Sequence, residues 1–470
     1  MKPLVFLHRW LGVVLALFFA MWFFTGMVMM YVPFPSLSES DRLSYLETVD
    51  TAEIVLPPAE AIAMCGPEKT TGLRVISIQG RPAYVCNREN SGMHGVYADT
   101  GAPVQLVKED AVTNRLPRIA SAPIEFITKV EYDQWTVHQR FDPFRPFYRI
   151  ELQDDWGTHL YVSLLTGEFV QRTTTPERFW NYLGAVTHWI YPTVLRKHWA
   201  IWDSLVWWLS GFGVVCVIIG IYLGVSHLVQ VRRTGKAAFS SFRGWMKWHH
   251  VLGLFTGLIA LSWIVSGWLS MDHGRLFSVP NPTVGQVRAI QGAPFEEVVA
   301  GVSVDRLHQY NGARELTIHA FDRKAVIVAK NSQGSFDTPS LEPSYVAEVV
   351  NSAVPEADIG RYYIVPDRDT YTHLREGNLP LGTIRVELSD SNQTWVHIDH
   401  QSGEVLSILD NSRRVYRWLY NGLHSLDFPG LVDKRPMWDA VMLVLLFGGF
   451  VASSTGVVIG SKRLFRTLSR

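Results

Sequence analysis

Four apolar runs constrain this chain more than any other feature: residues 10–32, 201–226, 251–271 and 437–460 are each about 20 or more residues long and mostly apolar. A helix of that length crosses a hydrocarbon core of ~30 Å at ~1.5 Å per residue. The chain is therefore expected to span a membrane four times. Its mean hydropathy of +0.08 hides this by averaging the runs with two long polar stretches. The first run exceeds the ~7 to 15 apolar residues of a cleaved signal peptide, and "VMMYVPFPS" offers no small-residue cleavage site, so it is expected to remain as a helix. Lysine plus arginine and aspartate plus glutamate both number 43, which gives no reason to expect a nucleic-acid partner.

Basic residues in the short flanks set the expected orientation. Lys2 and Arg9, then Arg232, Arg233, Lys236, Arg243 and Lys247, then Lys462, Arg463, Arg466 and Arg470 place both termini and the middle loop in the cytoplasm. The layout is then a first transmembrane helix in 1–32, an exported segment 33–199, a second helix in 200–228 and a cytoplasmic loop 229–246. A third helix in 247–271, a second exported segment 272–435, and a fourth helix with a basic tail in 436–470 complete it. In a Gram-negative cell the exported segments are periplasmic.

The chain also repeats itself. At an offset of 236, "RFWNYLGAVTHWIYPTVLRKHWAIWDSLVWWLSGFGVVCVIIGIYLG" falls without gaps on "RVYRWLYNGLHSLDFPGLVDKRPMWDAVMLVLLFGGFVASSTGVVIG". His188 meets His424, Trp202 and Asp203 meet Trp438 and Asp439, and Gly213, Gly220 and Gly224 meet Gly449, Gly456 and Gly460. Thr158, Gly167 and Glu168 likewise meet Thr394, Gly403 and Glu404. At an offset of 241, His8, Gly12, Trp22 and Gly26 fall on His249, Gly253, Trp263 and Gly267. Both copies start and end on the same side, so they are parallel repeats, related most simply by a pseudo-two-fold axis along the membrane normal. A residue and its repeat then lie at one depth and can face each other.

Within the exported segments, helix-like runs ("PPAEAIAMC", "APIEFITKV", "FEEVVAGV", "PSYVAEVVNSAV") precede short β-rich runs closed by turns such as "DTG", "LTG" and "QSG". Four α+β units are expected, two per copy. Cys65 and Cys86 fall in the first exported segment and either bridge or stay as thiols, while Cys216 is a small packing residue in the second helix.

The opening "LHRWLG", the stretch "RVYRWLYNGLHSLDFPGLVDKRPMWDAVMLVLLFGG" and "TWVHIDHQSGEV" resemble the PepSY-associated transmembrane family, often called iron-regulated inner-membrane proteins. The resemblance extends over nearly the whole chain. It implies a membrane protein with four transmembrane α-helices in two parallel repeats and large α+β PepSY-like modules outside. It also implies kinship with inner-membrane ferric-siderophore reductases that carry b-type haems. Asn421 departs from the histidine that many relatives have there.

Against that background the repeated histidines stand out. His8 and His249 sit at the cytoplasmic ends of the first and third helices, each four residues before a glycine on the same helix face. A lone histidine there reads as interfacial, but ionisable residues in such helices usually face the bundle interior, and a repeated one can meet its counterpart. Two facing imidazoles complete the axial positions of a haem iron, and the glycines leave a flat space beside them. His188 and His424 stand 14 residues before a Trp–Asp pair in an aromatic, interfacial setting and are expected to form a second bis-His site at the outer face. The expected cofactors are thus two haems b, held by His8 with His249 and by His188 with His424.

His250 lies about 100° around the helix from His249, has no repeat partner and is the best substitute ligand. His198, His227 and His273 also lack repeat counterparts, and spacing singles out none of the histidines in the exported modules. Gly220 with Gly224, and Gly456 with Gly460, have the G-x-x-x-G spacing of close helix packing. No G-x-G-x-x-G, P-loop, H-E-x-x-H or nucleophile elbow occurs, so direct use of NADPH, ATP or a hydrolytic nucleophile is not expected.

The resulting expectation is a di-haem oxidoreductase of the bacterial inner membrane. It would pass electrons from an unidentified donor, a quinol or a cytoplasmic reductase, to a periplasmic ferric siderophore or other ferric chelate. The rival is a haem-free PepSY receptor or scaffold anchored by its helices. A metal transporter fits less well, because the spanning runs lack the acidic and polar residues that line ion paths.

Overall fold

A computed structural model of the chain describes all residues except 89–91, 121, 236, 276–281, 337–339, 368, 372, 375–376 and 470. Four of its helices are long and apolar enough to cross a membrane: Lys2–Met29, Trp199–Arg233, Gly244–Ser270 and Met437–Leu468. The second helix continues past its apolar run to Arg233, because Leu228, Val229 and Val231 extend an apolar side until the basic pair ends it. The chain divides into two compact units. The spanning helices belong to one, made of Met1–Phe34, Glu177–Val279 and Ser412–Arg470, and the β-rich segments Pro35–Pro176 and Pro280–Asn411 form the other.

In the helical unit, Phe23, Met30, Trp263, Trp438, Met442 and Leu446 make a buried apolar cluster between helices of both copies. Small residues let the helices approach: a Cβ built on Gly460 would lie 3.4 Å from the Cα of Val13, and one on Gly213 would meet Ile264 at 3.1 Å.

The β-rich unit holds three principal sheets. The largest runs in the order β10 (Gly334–Phe336), β9 (Lys324–Asn331), β8 (Glu315–Phe321), β1 (Thr70–Ile78), β2 (Arg81–Arg88), β3 (Gly92–Tyr97). Its centre is the antiparallel pair β1 and β8, in register from Leu73 opposite Ile318 to Ile76 opposite Glu315. The first modules of the two copies therefore share one six-stranded sheet, where the sequence suggested two separate units. Helices Pro58–Met64 and Phe295–Ala300, one from each copy, cover one face of it through Ala61, Ile62, Val298 and Val299. Cys65 and Cys86 are joined in a disulfide that ties the first of these helices to β2.

The second modules are four-stranded antiparallel meanders. One is β4 (Ile124–Val130), β5 (Phe147–Leu152), β6 (His159–Ser163) and β7 (Phe169–Thr173). The other is β11 (Ile359–Ile364), β14 (Ile384–Leu388), β15 (Trp395–Ile398) and β16 (Val405–Leu409), beside a small hairpin of β12 (His373–Leu374) and β13 (Gly377–Asn378). The run "APIEFITKV", expected as helix-like, is strand β4, paired with β5 from Ile124 opposite Leu152 to Val130 opposite Phe147. Its four β-branched residues, Ile124, Ile127, Thr128 and Val130, suit a pleated edge better than a helix. The duplication extends to single hydrogen bonds: the Thr158 hydroxyl donates to Asp154 at 2.6 Å and its repeat Thr394 to Asp390 at 2.7 Å.

Four charges lie under the joined sheet. Arg42 and Arg74 each bridge Glu168 and Glu315 at 2.7 to 2.9 Å, and both carboxylates are buried. Burial alone would raise the Glu315 carboxyl, but Arg74 and Arg42 overcome it and hold it at about 2. Glu168 is lowered in the same way, against burial and chiefly by Arg74. Replacing Arg74 by methionine leaves two buried carboxylates short of a partner and should destabilise the unit by roughly 3–5 kcal/mol in thermal unfolding followed by circular dichroism. A depressed carboxylate stabilises the fold above its unfolded value of about 4.3, so this contribution should fade as pH falls from there towards about 2. Glu315→Gln should flatten that pH dependence.

Candidate functional site: two facing histidine pairs

The helical unit brings the four repeated histidines together in two pairs, each joining one copy to the other. The rings of His8 and His249 have centres 6.4 Å apart, and those of His188 and His424 6.3 Å apart. The interplanar angles are 35° and 75°.

Each ring is held through Nδ1. The Nδ1–H of His8 donates to the Cys216 carbonyl at 3.1 Å, and that of His249 to the Thr455 hydroxyl at 3.0 Å. The Nδ1–H of His188 donates to Thr25 Oγ1 at 2.8 Å, and that of His424 to Ser266 Oγ at 3.0 Å. These three hydroxyls are buried, and each spends its own hydrogen on a carbonyl of the preceding helical turn: Thr455 on Ala452, Thr25 on Met21, Ser266 on Trp263. A hydroxyl so committed must accept from the ring, which fixes the tautomer and presents Nε2. Two neutral imidazoles offered in this way can take one metal ion between them, and the bonds behind them are of the kind that orient metal-bound histidines.

The seats of His188 and His424 recur with the repeat. Thr25 and Ser266 match at the offset of 241, each 17 residues beyond the inner histidine of the same helix. At ~1.5 Å per residue the two pairs therefore lie about 25 Å apart along the helix axis. A Cβ on Gly220 would sit 2.7 Å from Cε1 of His8, and one on its repeat Gly456 3.4 Å from Cε1 of His249. These glycines lie at close contacts between helices, as their spacing suggests, and at Gly220 and Gly456 the neighbour is an imidazole, with Ala16 also against Gly456. Gly267 likewise lies against His424 at 3.4 Å and Gly26 against His188 at 4.0 Å. At Gly12 and Gly253, by contrast, an added Cβ meets nothing within 4 Å.

His188 and His424 lie outside the long helices and need more support. Both follow a π-helical turn, Tyr182–Val186 in one copy and Trp418–Gly422 in the other, a local widening common at functional sites. Two residues beyond each histidine, Ile190 and Leu426 take left-handed φ values of 52° and 48°, which branched side chains adopt only where the surroundings impose it. The surroundings include the Trp–Asp pair. Trp202 Nε1–H donates to the Trp189 carbonyl at 3.1 Å, and Trp438 Nε1–H to the Ser425 carbonyl at 3.1 Å. The 14-residue spacing thus ties the start of each closing helix to the residue after its histidine.

Sequence reasoning passed over Thr25, Ser266 and Thr455, although the first two share the offset that revealed the histidines. Among the other candidates, Asn421 lies in the π-helical turn before His424, and His273 pairs with Asp203. Cys216 is buried, as a packing residue would be, and also offers its carbonyl to His8.

Four helices long and apolar enough to span a membrane, a separate β-rich unit and histidine pairs within the helical unit, laid out in two copies, define a multi-pass membrane protein with duplicated architecture. The family model of the PepSY-associated TM region matches residues 5–308, nearly two thirds of the chain, and the chain belongs to that family. No curated protein matches it.

The glycine contacts generate a direct test. Gly220→Leu forces a side chain into the space of the His8 ring and should destabilise the detergent-solubilised protein by about 1–3 kcal/mol. Gly12→Ala, where the new methyl meets no other group of the chain, should leave the melting temperature of the cofactor-free protein unchanged or slightly raised.

Proposed function

We propose that this protein is a di-haem electron carrier of the bacterial inner membrane that reduces a ferric chelate, by family resemblance a ferric siderophore, on the periplasmic side. The observation that carries the reading is the spacing of the two histidine pairs. Two imidazoles bound on opposite sides of one metal ion, at bonds of about 2.0 Å each, have ring centres roughly 6 Å apart. The pairs measure 6.4 and 6.3 Å. His8 with His249 would hold an inner haem b and His188 with His424 an outer one. The open flanks of Gly12 and Gly253 suit a flat macrocycle beside the inner pair. Haem bound there would supply one-electron chemistry.

The chain's own part is to hold and tune. The Nδ1 hydrogen bonds fix ring orientation and strengthen the imidazoles as ligands, and the buried hydroxyls keep those bonds out of competition with water. An acceptor reduced from Fe(III) to Fe(II) becomes a softer, less charged ion and loses affinity for hard oxygen donors, so the chelate releases it. The proposed orientation draws on two features: basic residues cluster at one end of the helices, and the Cys65–Cys86 disulfide in the β-rich unit belongs in an oxidising compartment.

The visible spectrum of the purified protein tests this. A Soret band and a reducible α-band with about two haems per chain are expected from two bis-His sites. A colourless but stable protein would sink the reading and leave the receptor or scaffold role. His8→Ala or His249→Ala should remove the inner haem alone, and His188→Ala or His424→Ala the outer one alone. Loss of neither haem would refute the pairing.

A further inference from the structure

One buried polar group of the helical unit takes no part in either pair. His250 is 8% exposed, and its Nε2–H donates to the Gly224 carbonyl at 2.9 Å. That bond leaves Nδ1 as a bare acceptor, and Nδ1 is buried with no hydrogen-bond partner among the described residues. A buried acceptor of this kind calls for an O–H or N–H donor.

Its surroundings are aromatic. The His227 ring stands edge-on to His250 at 4.8 Å, and Phe242 stacks on His227 at 4.1 Å with 11° between planes while lying edge-on to His250 at 5.7 Å. The hydroxyl and backbone N–H of Ser241 lie 3.1 and 3.4 Å from Nε2 of His227, which holds that ring. Phe242 is 39% exposed and sits on the connection between the second and third helices, so it covers the place where a flat ring could lie against His227. Phe239 and Phe255, paired at 5.7 Å and both exposed, continue the apolar surface.

The feature occurs in one copy only. At the offset of 241 the position of His250 is held by Arg9, which is exposed, and Gly460, the repeat of Gly224, packs on Val13 instead of a histidine. The structural ligands recur in both copies and His250 does not, as suits a single binding site beside the inner pair. His250 directly follows His249 in the chain.

We propose that His250, His227 and Phe242 form the docking site of the electron donor, a lipid-soluble hydroquinone whose ring takes the place of Phe242 against His227 and whose hydroxyl donates to Nδ1 of His250. The inference rests on the di-haem reading and names its donor. A hydroquinone fits because it joins a flat apolar ring to an O–H and approaches through the bilayer. A charged nucleotide fits poorly in this aromatic, apolar setting, and the chain carries no nucleotide fingerprint. Oxidation of one hydroquinone to the quinone releases two electrons and two protons. The electrons convert two ferric ions of the acceptor to ferrous, and the protons pass to water at the basic end of the helices.

Two measurements on the purified full-length protein test the site: calorimetric binding of a short-chain benzoquinone, and anaerobic stopped-flow reduction of the α-band by the matching benzoquinol, with dithionite as a reductant that needs no site. His250→Phe should weaken benzoquinone binding and slow benzoquinol-driven reduction by about tenfold each, the worth of one buried hydrogen bond. The amplitude reached with dithionite should be retained. His250→Asn, which keeps an acceptor, should recover part of the loss, and Phe242→Ala should alter binding without changing the spectrum. Equal binding and equal rates in all variants would overturn the site. So would a haem-loaded wild type that ignores benzoquinol and accepts electrons only from a reduced flavoprotein, and in that case the di-haem reading stands. If the protein carries no haem but binds benzoquinone in a His250-dependent way, the di-haem reading falls and the quinone site remains.

Discussion

An imidazole inside an apolar bundle must find a partner for its N–H, and the helical unit is arranged around four such partnerships. In hydrocarbon no water stands ready to satisfy a misplaced group, so a histidine without a seat would cost stability with no return. The seats constrain their own sequences in turn. Three are hydroxyls committed to helix carbonyls and one is the Cys216 carbonyl itself. Glycine beside a ring lets the neighbouring helix come close enough to provide the seat, and at Gly220 even a methyl would collide.

The pairing was legible because the chain is duplicated. Parallel repeats put equivalent residues at one depth, so an offset that aligns His8 with His249 and His188 with His424 already states which rings can meet. Thr25 and Ser266 were equally visible in that alignment, yet hydroxyls in spanning helices are common and usually return to their own backbone. Only the third dimension shows that these two also accept from an imidazole. The Trp–Asp spacing had the same status, a regularity whose cause is the indole N–H reaching the loop after each histidine.

Outside the spanning helices less could be read. Period-two patterns locate strands but do not say which edge meets which, so the joining of β1 to β8 into one sheet was hidden. The run "APIEFITKV" is too short for periodicity to separate helix from strand, and pairing with β5 decides it. The square of Arg42, Arg74, Glu168 and Glu315 draws on residues up to 273 positions apart, and none of the four is distinguishable in sequence from a solvated surface charge.

Departures from the repeat carry separate information. Glu168 lies buried between Arg74 and Arg42, whereas its repeat Glu404 is 60% exposed and its ion-pair contact is His319 at 3.9 Å. In the helical unit the same kind of divergence sets buried His250 against exposed Arg9. A two-fold axis along the membrane normal equates left with right but leaves the two faces of the bilayer distinct. Side chains that meet their own repeat, as His8 meets His249 and His188 meets His424, therefore occur in both copies, whereas one that meets no counterpart, such as His250, is free to occur in one.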